Sequence, residues 1–201
     1  MPTLVMQGYT VVAQEALRDI AQPPTHIFLQ AGVGGFAASI AGFVTQSAVR
    51  PTPKFVVVEP GRADCFFQSN ARGERVKIAS QESTVMAMLE CYEPSLLAWR
   101  ALSPIVDAYM TVDEHDAVDS MMQLANPCGD DQPIVAGESG GVGLAGLTVV
   151  AHSPSLRNAV NLTASSRVLL FNTEGATDPV LYEAFVGKSV REVLDRRSVP
   201  R

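Results

Sequence analysis

The chain has 201 residues, 47% of them hydrophobic and 18% charged, with a formal net charge of −6. This is the composition of one globular domain with a packed core, and it excludes a disordered chain. The acidic balance excludes a general affinity for nucleic acid or anionic membranes, while leaving room for a local anion pocket.

Residues 1–19 lack the basic start and apolar run of a signal peptide, and no apolar segment approaches the ~20 residues of a membrane span. Three cysteines, Cys65, Cys91 and Cys128, are odd in number and far apart. They offer neither a disulfide framework nor a CxxC zinc site, and read as reduced thiols of a cytoplasmic protein.

In chain order, residues 11–20 have helical periodicity and His26–Gln30 is a short apolar strand. Residues 34–45 read as a small-residue helix, 55–59 as a second strand and 75–78 as a third. Residues 84–91 and 96–104 follow as helices, and 108–112 as a strand. Asp113, with Asp116 three residues on, starts a helix over 113–124. Residues 125–133, with two prolines and Gly129, form a loop. Residues 134–137 and 168–171 complete the strands, with a helix over 142–153 between them. Short Val-, Ile-, Leu- and Phe-rich strands alternating with helices predict an α/β fold with a mainly parallel sheet covered on both faces. One domain is expected over residues 1–188, followed by a charged tail over 189–201 that frays.

The first motif with chemistry is Gln30-Ala31-Gly32-Val33-Gly34-Gly35-Phe36, a glycine turn between a buried strand and a helix start. Glycines admit positive φ and let an oxyanion approach the backbone, and the helix start adds unpaired amides and a positive dipole end. An anion, and a phosphate in particular, suits that geometry; a plain packing turn is the alternative. The spacing departs from the G-x-G-x-x-G dinucleotide fingerprint, although Glu59 ends the next strand as that fingerprint asks. No Gly-Lys-Ser/Thr follows, so a Walker loop is excluded.

The second motif, Gly137-Glu138-Ser139-Gly140-Gly141-Val142-Gly143-Leu144, also joins a strand to a helix, where open α/β sheets bind ligands. Its alternative is a solvated helix start capped by Ser139. It satisfies G-x-S-x-G by letter, but the sole later histidine, His152, lies in the helix that the turn opens, so no hydrolase triad follows. Asn172-Thr173-Glu174-Gly175-Ala176-Thr177-Asp178 places a third polar turn at the end of the last strand. Glu59 and Asp64 could share a cation, but Arg62 between them points to a surface ion pair. His26 and His115 do not read as catalytic. Lys54, Lys77 and Lys188 read as surface charge.

Taken together, these turns resemble the fold-type II (tryptophan synthase β-like) pyridoxal-phosphate enzymes, the group of threonine dehydratase and serine racemase. Within it the resemblance is closest to the diaminopropionate ammonia-lyases. It rests on Met6-Gln7-Gly8-Tyr9-Thr10, on Pro24 through Gly34, and on Val58-Glu59-Pro60 with Ala63-Asp64-Cys65. Gly137 through Gly140 with Val142-Gly143-Leu144, and Thr173-Glu174-Gly175 with Thr177-Asp178, complete it. The resemblance runs from about Met6 to about Lys188 and implies a three-layer αβα large domain.

It also implies pyridoxal 5′-phosphate as cofactor. Ala31, Gly32, Val33, Gly34 and Gly35 would form the phosphate cup. Glu138 and Ser139 would stand beside the ring. Asn172, where relatives carry Ser, Thr or Cys, and Thr173 would lie near the ring nitrogen. In serine racemase-like relatives a cation sits on residues matching Glu59 and Ala63, with an acid where this chain has Cys65, so no metal is assigned.

Family members carry an additional segment, about half the enzyme, that supplies the Schiff-base lysine and the general-base acids. The chain starts after that segment, and no lysine here matches, so no catalytic residue is assigned. The resemblance thus implies the C-terminal portion of a lyase that converts 2,3-diaminopropionate to pyruvate and ammonia. This portion is expected to be inactive alone, a small-molecule amino acid becoming its substrate once the missing half completes the site. The alternative is a non-catalytic remnant serving as an anion-binding or assembly module. A dinucleotide module ranks below both. Apolar faces left uncovered predict a homo-oligomer, most simply a dimer.

Overall fold

The computed structural model describes residues 2–80 and 82–196. Four parallel strands, β1 (His26–Gln30), β2 (Lys54–Pro60), β3 (Ala108–Val112) and β4 (Val168–Leu169), lie in the order β3-β2-β1-β4. Nine helices surround them among the described residues: α1 (Pro2–Asp19), α2 (Gly35–Gln46), α3 (Cys65–Arg72), α4 (Leu96–Leu102), α5 (Glu114–Ala125), α6 (Val142–His152), α7 (Pro154–Val160), α8 (Pro179–Val186) and α9 (Val190–Asp195). This is the three-layer αβα arrangement that the sequence resemblance implies.

β1 and β2 are apolar on both sides because both sides are covered. Ile27, Leu29, Phe55 and Val57 face a core shared with Ala37, Ile40, Val44, Phe66 and Leu102. Phe28, Val56 and Val58 face the opposite core with Val142, Ala145 and Val150. The period of two thus divides one apolar run between two layers. α2 packs on β1 with α1 outside it, and α6 runs across β1, β2 and β3 on the other face. A smaller third core, Met121, Ala125, Tyr182, Val186 and Val193, ties α5, α8 and α9 together.

The expected strands at 75–78 and 134–137 are not formed. The amides there bond elsewhere: Val76 N to Ser69 Oγ at 3.0 Å, Ile78 N to Tyr92 O at 2.8 Å and Ile134 N to Leu124 O at 2.8 Å. These segments are stitched to α3, α5 and a loop rather than to a neighbouring strand. The helix expected at 84–91 is one 3-10 turn, Ala87–Leu89. β4 stops two residues early, at Leu169, and beyond it the Gln30 side chain takes the Phe171 carbonyl in place of a ladder bond.

Conversely, α3, α7, α8 and α9 are additional. α7 and α8 begin with Ser153-Pro154 and Asp178-Pro179, a capping side chain followed by a proline that the first helical position tolerates. α9 occupies the segment expected to fray. Ser189 and Glu192 close a capping box, and Val193 is fully buried. Residues 197–201 of the expected tail lie outside the described residues. The start of α5 is as the sequence suggests, with Asp116 Oδ2 accepting from Asp113 N at 2.9 Å.

Candidate functional site

The first glycine turn leaves β1 with one last ladder-like bond, Ala31 N to Val58 O at 3.0 Å, and then enters α2. Gly34 sits at the helix start with φ 87°, a left-handed conformation that disfavours any side chain. A Cβ there would also lie 2.2 Å from Phe66 Cζ, so the positive φ and the close packing demand glycine twice over. At Gly32 a Cβ would stand 3.1 Å from Cys91 Sγ and 3.2 Å from Leu89 Cα. Gly35 differs: its Cβ would meet only Met6 Cγ, at 3.9 Å. The amides of Gly34, Gly35 and Phe36 donate to no group among the described residues. Three free donors at the positive end of a twelve-residue helix, beside open space, suit a phosphate.

The second glycine turn is built differently. Glu174 Oε2 accepts from Ser139 N at 2.9 Å and from Gly140 N at 3.2 Å, while Gly137 N donates to Glu174 O at 2.9 Å. Gly137 and Gly140 are packing glycines, since a Cβ at either would come within 2.6 Å of the 172–175 turn. The acid therefore occupies the position an anionic ligand would take at the start of α6. Ser139 Oγ, rather than capping α6, accepts from Met88 N at 3.2 Å and ties the 3-10 segment to the turn. Sequence reasoning named Glu174 only as a polar member of the third turn. An acid facing a glycine-rich helix start was the available signal.

The third turn and the end of β1 meet at Gln30, which is buried at 3% exposure. Gln30 Nε2 donates to Phe171 O at 2.9 Å and to Thr173 Oγ1 at 2.8 Å, with Gly140 O farther off at 3.4 Å. Gln30 Oε1 is buried without a partner. Asn172 turns the other way, donating Nδ2 to Val135 O at 3.0 Å and accepting Glu174 N at 3.4 Å.

These turns enclose a cleft of about 930 Å³. Ala31, Gly32, Val33, Gly34, Gly35, Ser139, Asn172 and Thr173 line it; Glu138 is not among its lining residues. Glu138 is half-buried, and burial together with the Glu174 and Asp178 carboxylates raises its carboxyl above the ordinary range. One wall is apolar, with Val5, Met6, Tyr9 and Val12 of α1 facing Met88 and Leu89. No lysine, arginine or histidine lines the cleft among the described residues.

Other candidates fall into structural roles. Glu59 is fully buried and accepts the amides of Phe66 at 2.9 Å and Phe67 at 2.8 Å, holding the first turn of α3. Burial pushes its carboxyl up to about 8, against the pull of those amides and of the Cys65 thiol. Both its oxygens are thus already engaged. Arg62 forms its ion pairs with Glu82 at 3.3 Å and Glu114 at 3.7 Å, not with Glu59 or Asp64. His26 bridges Thr25 Oγ1 at 2.8 Å and Val160 O at 2.9 Å, a lock between β1 and α7. Lys54 pairs with Asp107 at 3.2 Å. No described helix is long and apolar enough to cross a membrane.

Residues 2–174 match the family profile described as pyridoxal-phosphate dependent enzyme. The chain belongs to that family. It is 36% identical over 192 residues to the diaminopropionate ammonia-lyase of Escherichia coli strain K12, a match covering 92% of this chain and 48% of that protein. The Salmonella typhimurium diaminopropionate ammonia-lyase is 37% identical over 196 residues, with the same coverage. A crystal structure of the Escherichia coli enzyme superposes with a TM-score of 0.84, at 37% identity over 92% of this chain and 48% of that one. Maize serine racemase, at 23% identity and a TM-score of 0.71 over 90% of this chain and 54% of that one, shares the fold. The chain spans about half the length of the curated relatives it matches.

Pyridoxal phosphate, the cofactor of this family, is consistent with the residues in place. The free amides of Gly34, Gly35 and Phe36 are donors of the kind a phosphate takes, and the polar side chains of Ser139, Asn172 and Thr173 line the same cleft. The residue set differs from a complete family site in having no lysine in the cleft among the described residues.

Proposed function

We propose that this chain is the C-terminal, cofactor-cradling portion of a pyridoxal-phosphate-dependent ammonia-lyase acting on 2,3-diaminopropionate, and that it is inactive by itself. The observation that carries the proposal is the set of free amides at the start of α2, in a chain 36% identical to diaminopropionate ammonia-lyase over 92% of its length. The complete reaction converts 2,3-diaminopropionate and one water to pyruvate and two ammonia molecules. When bound, the cofactor supplies an electron sink that stabilises charge at the substrate α-carbon.

This chain's contribution is positional. Gly34, Gly35 and Phe36 hold the phosphate end, with Ala31, Gly32 and Val33 shaping the cup. Ser139, Asn172 and Thr173 border the ring, and Glu138 supports the second turn from outside the cleft. The apolar wall of α1 excludes water from one side, which strengthens every electrostatic contact within. Among the described residues no amine lines the cleft to hold the aldehyde covalently, and Glu174, the acid that lines it, is engaged by the Ser139 and Gly140 amides, so the base for the α-proton is expected from a second segment. The same free amides without a lysine favour, as a second reading, a non-catalytic anion-binding or assembly module.

Calorimetric titration with pyridoxal phosphate, followed by borohydride reduction, tests the proposal. Reversible binding that Gly35→Asp abolishes, with no covalent adduct and no pyruvate formed, is the expected result. Turnover of 2,3-diaminopropionate by the chain alone would refute inactivity. No binding at all would remove the cofactor cup. Binding that persists after a second polypeptide restores pyruvate formation would favour the lyase over the module.

A further inference from the structure

We propose that Arg62 and Glu114, which lie outside the cleft, are positioning residues that clamp the backbone behind its Met88–Leu89 wall. The inference rests on the pyridoxal phosphate reading above. It adds two charges that touch no ligand and act on the part of the cleft beyond the phosphate donors.

Residues 82–92 contain one 3-10 turn, Ala87–Leu89, yet they supply Met88, Leu89 and Cys91 to the cleft. A segment with no ladder of its own is placed by the groups its backbone meets. Arg62 Nη1 donates to Ser83 O at 2.7 Å, and its guanidinium pairs with Glu82 at 3.3 Å and Glu114 at 3.7 Å. Glu114 Oε2 in turn accepts from Val85 N at 2.6 Å. The end of β2 and the start of α5 thus grip neighbouring points of the same backbone. On the cleft side Ser139 Oγ accepts from Met88 N at 3.2 Å. Glu90 folds the segment on itself, accepting from Thr84 N at 3.3 Å and Tyr92 Oη at 2.6 Å.

Burial also holds this segment, since Met86 is fully buried and Leu89 is 7% exposed. Apolar burial is non-directional, however, and it does not fix how the backbone between those anchors is presented. Charge-assisted bonds to Ser83 O and Val85 N do fix it. The ion pair to Glu82, whose side chain is 81% exposed, contributes little beside them. The segment rests directly on the first glycine turn: Leu89 Cα and Met88 O would each stand 3.2 Å from a Cβ at Gly32. A shift at residues 83–85 is therefore passed to the cleft. Neither Arg62 nor Glu114 lines the cleft, so any effect of either on a ligand passes through this wall.

The test compares pyridoxal phosphate with inorganic phosphate as probes of the full chain. Arg62→Ala and Glu114→Ala should each weaken pyridoxal phosphate about threefold to tenfold, the equivalent of one net hydrogen bond. Inorganic phosphate, held at the α2 start, should stay within about twofold. The double variant should lose little more than either single one, because both grips act on one segment. Arg62→Lys should recover part of the loss, and Glu82→Ala should lose nothing. Equal weakening of both probes, or unchanged pyridoxal phosphate binding in both alanine variants, would overturn the proposal.

If the wild-type chain does not bind pyridoxal phosphate, the cofactor reading fails, and the clamp is read in ligand-free protein. Exchange of the Met88 and Leu89 amides should then speed at least about fivefold in Arg62→Ala, with β1 and α2 unchanged. Unchanged exchange at both amides would overturn the clamp. Should Arg62→Ala and Glu114→Ala not fold, the wild-type Val85 amide decides: slow exchange supports its bond to Glu114, and exchange at the open-chain rate removes it.

Discussion

At Gly34 a Cβ would stand 2.2 Å from Phe66 Cζ, whereas one residue later it would meet only Met6 Cγ at 3.9 Å. Neighbouring glycines therefore answer different demands, and their substitutions should separate stability from binding. Gly34→Ala combines a left-handed backbone with an overlap and should cost about 2–4 kcal/mol, seen as a lowered thermal midpoint. Gly35→Asp should fold normally, since an acid in the first helical turn is favoured by the dipole, and should lose anion binding. Glu59 supplies a second residue-scale prediction. Burial raises its carboxyl from 4.5 to about 8, so the folded chain holds a proton that the unfolded chain releases. The stability tied to that proton is complete below the unfolded value and is lost as pH rises through about 8. Thermal midpoints should fall from acidic to mildly alkaline pH, and Glu59→Gln should flatten that slope. The glycine turn at 32–35 was legible because backbone needs leave a mark in residue type. Glu174 was not, because its role depends on a turn 35 residues away that the fold alone brings to it.

At the scale of elements, β1 and β3 were readable to the residue, while 75–78 and 134–137 were misread as strands. All four are short and rich in β-branched or aromatic residues, though 75–78 also carries Arg75 and Lys77, and it is pairing that distinguishes them. Ile78 finds a single loop carbonyl and Ile134 a single carbonyl of α5, whereas His26 to Gln30 find a neighbour along their whole length. The helices missed at α7, α8 and α9 did carry signals, in Ser153-Pro154, Asp178-Pro179 and the Ser189–Glu192 box. Their brevity, six to eight residues, hid the periodicity that would have supported those caps. Two element-scale outcomes follow. Val193→Ala should cost about 1–3 kcal/mol by hollowing the small core against α8, and amide exchange should show α9 loosening before the sheet. Glu174→Ala should leave Ser139 N and Gly140 N unpaired and destabilise the α6 start by about 1–2 kcal/mol, partly relieved by added phosphate.

Across the whole molecule, α1 presents Leu4 at 67% and Val11 at 50% exposure, neither of them lining the cleft. An apolar stripe of this kind is costly in water, and we expect it to be covered by a second copy or a complementing segment. Sedimentation of the isolated chain should show a concentration-dependent dimer, and Leu4→Glu with Val11→Glu should yield monomer with the cleft intact. The sequence resemblance extended over the chain from about Met6 to Lys188, and the α/β layering agreed with it. What stayed hidden was which of two similar glycine turns is open. Glu174 settles this, and its placement has a consequence for ligand length. One end of the cleft attracts negative charge, and the other already carries it, so a ligand bearing anionic groups at both ends would be repelled at the second. The cleft is polar in the sense of a battery, suited to a molecule with one phosphate and a neutral far end, and hostile to bisphosphates or dinucleotides of similar bulk.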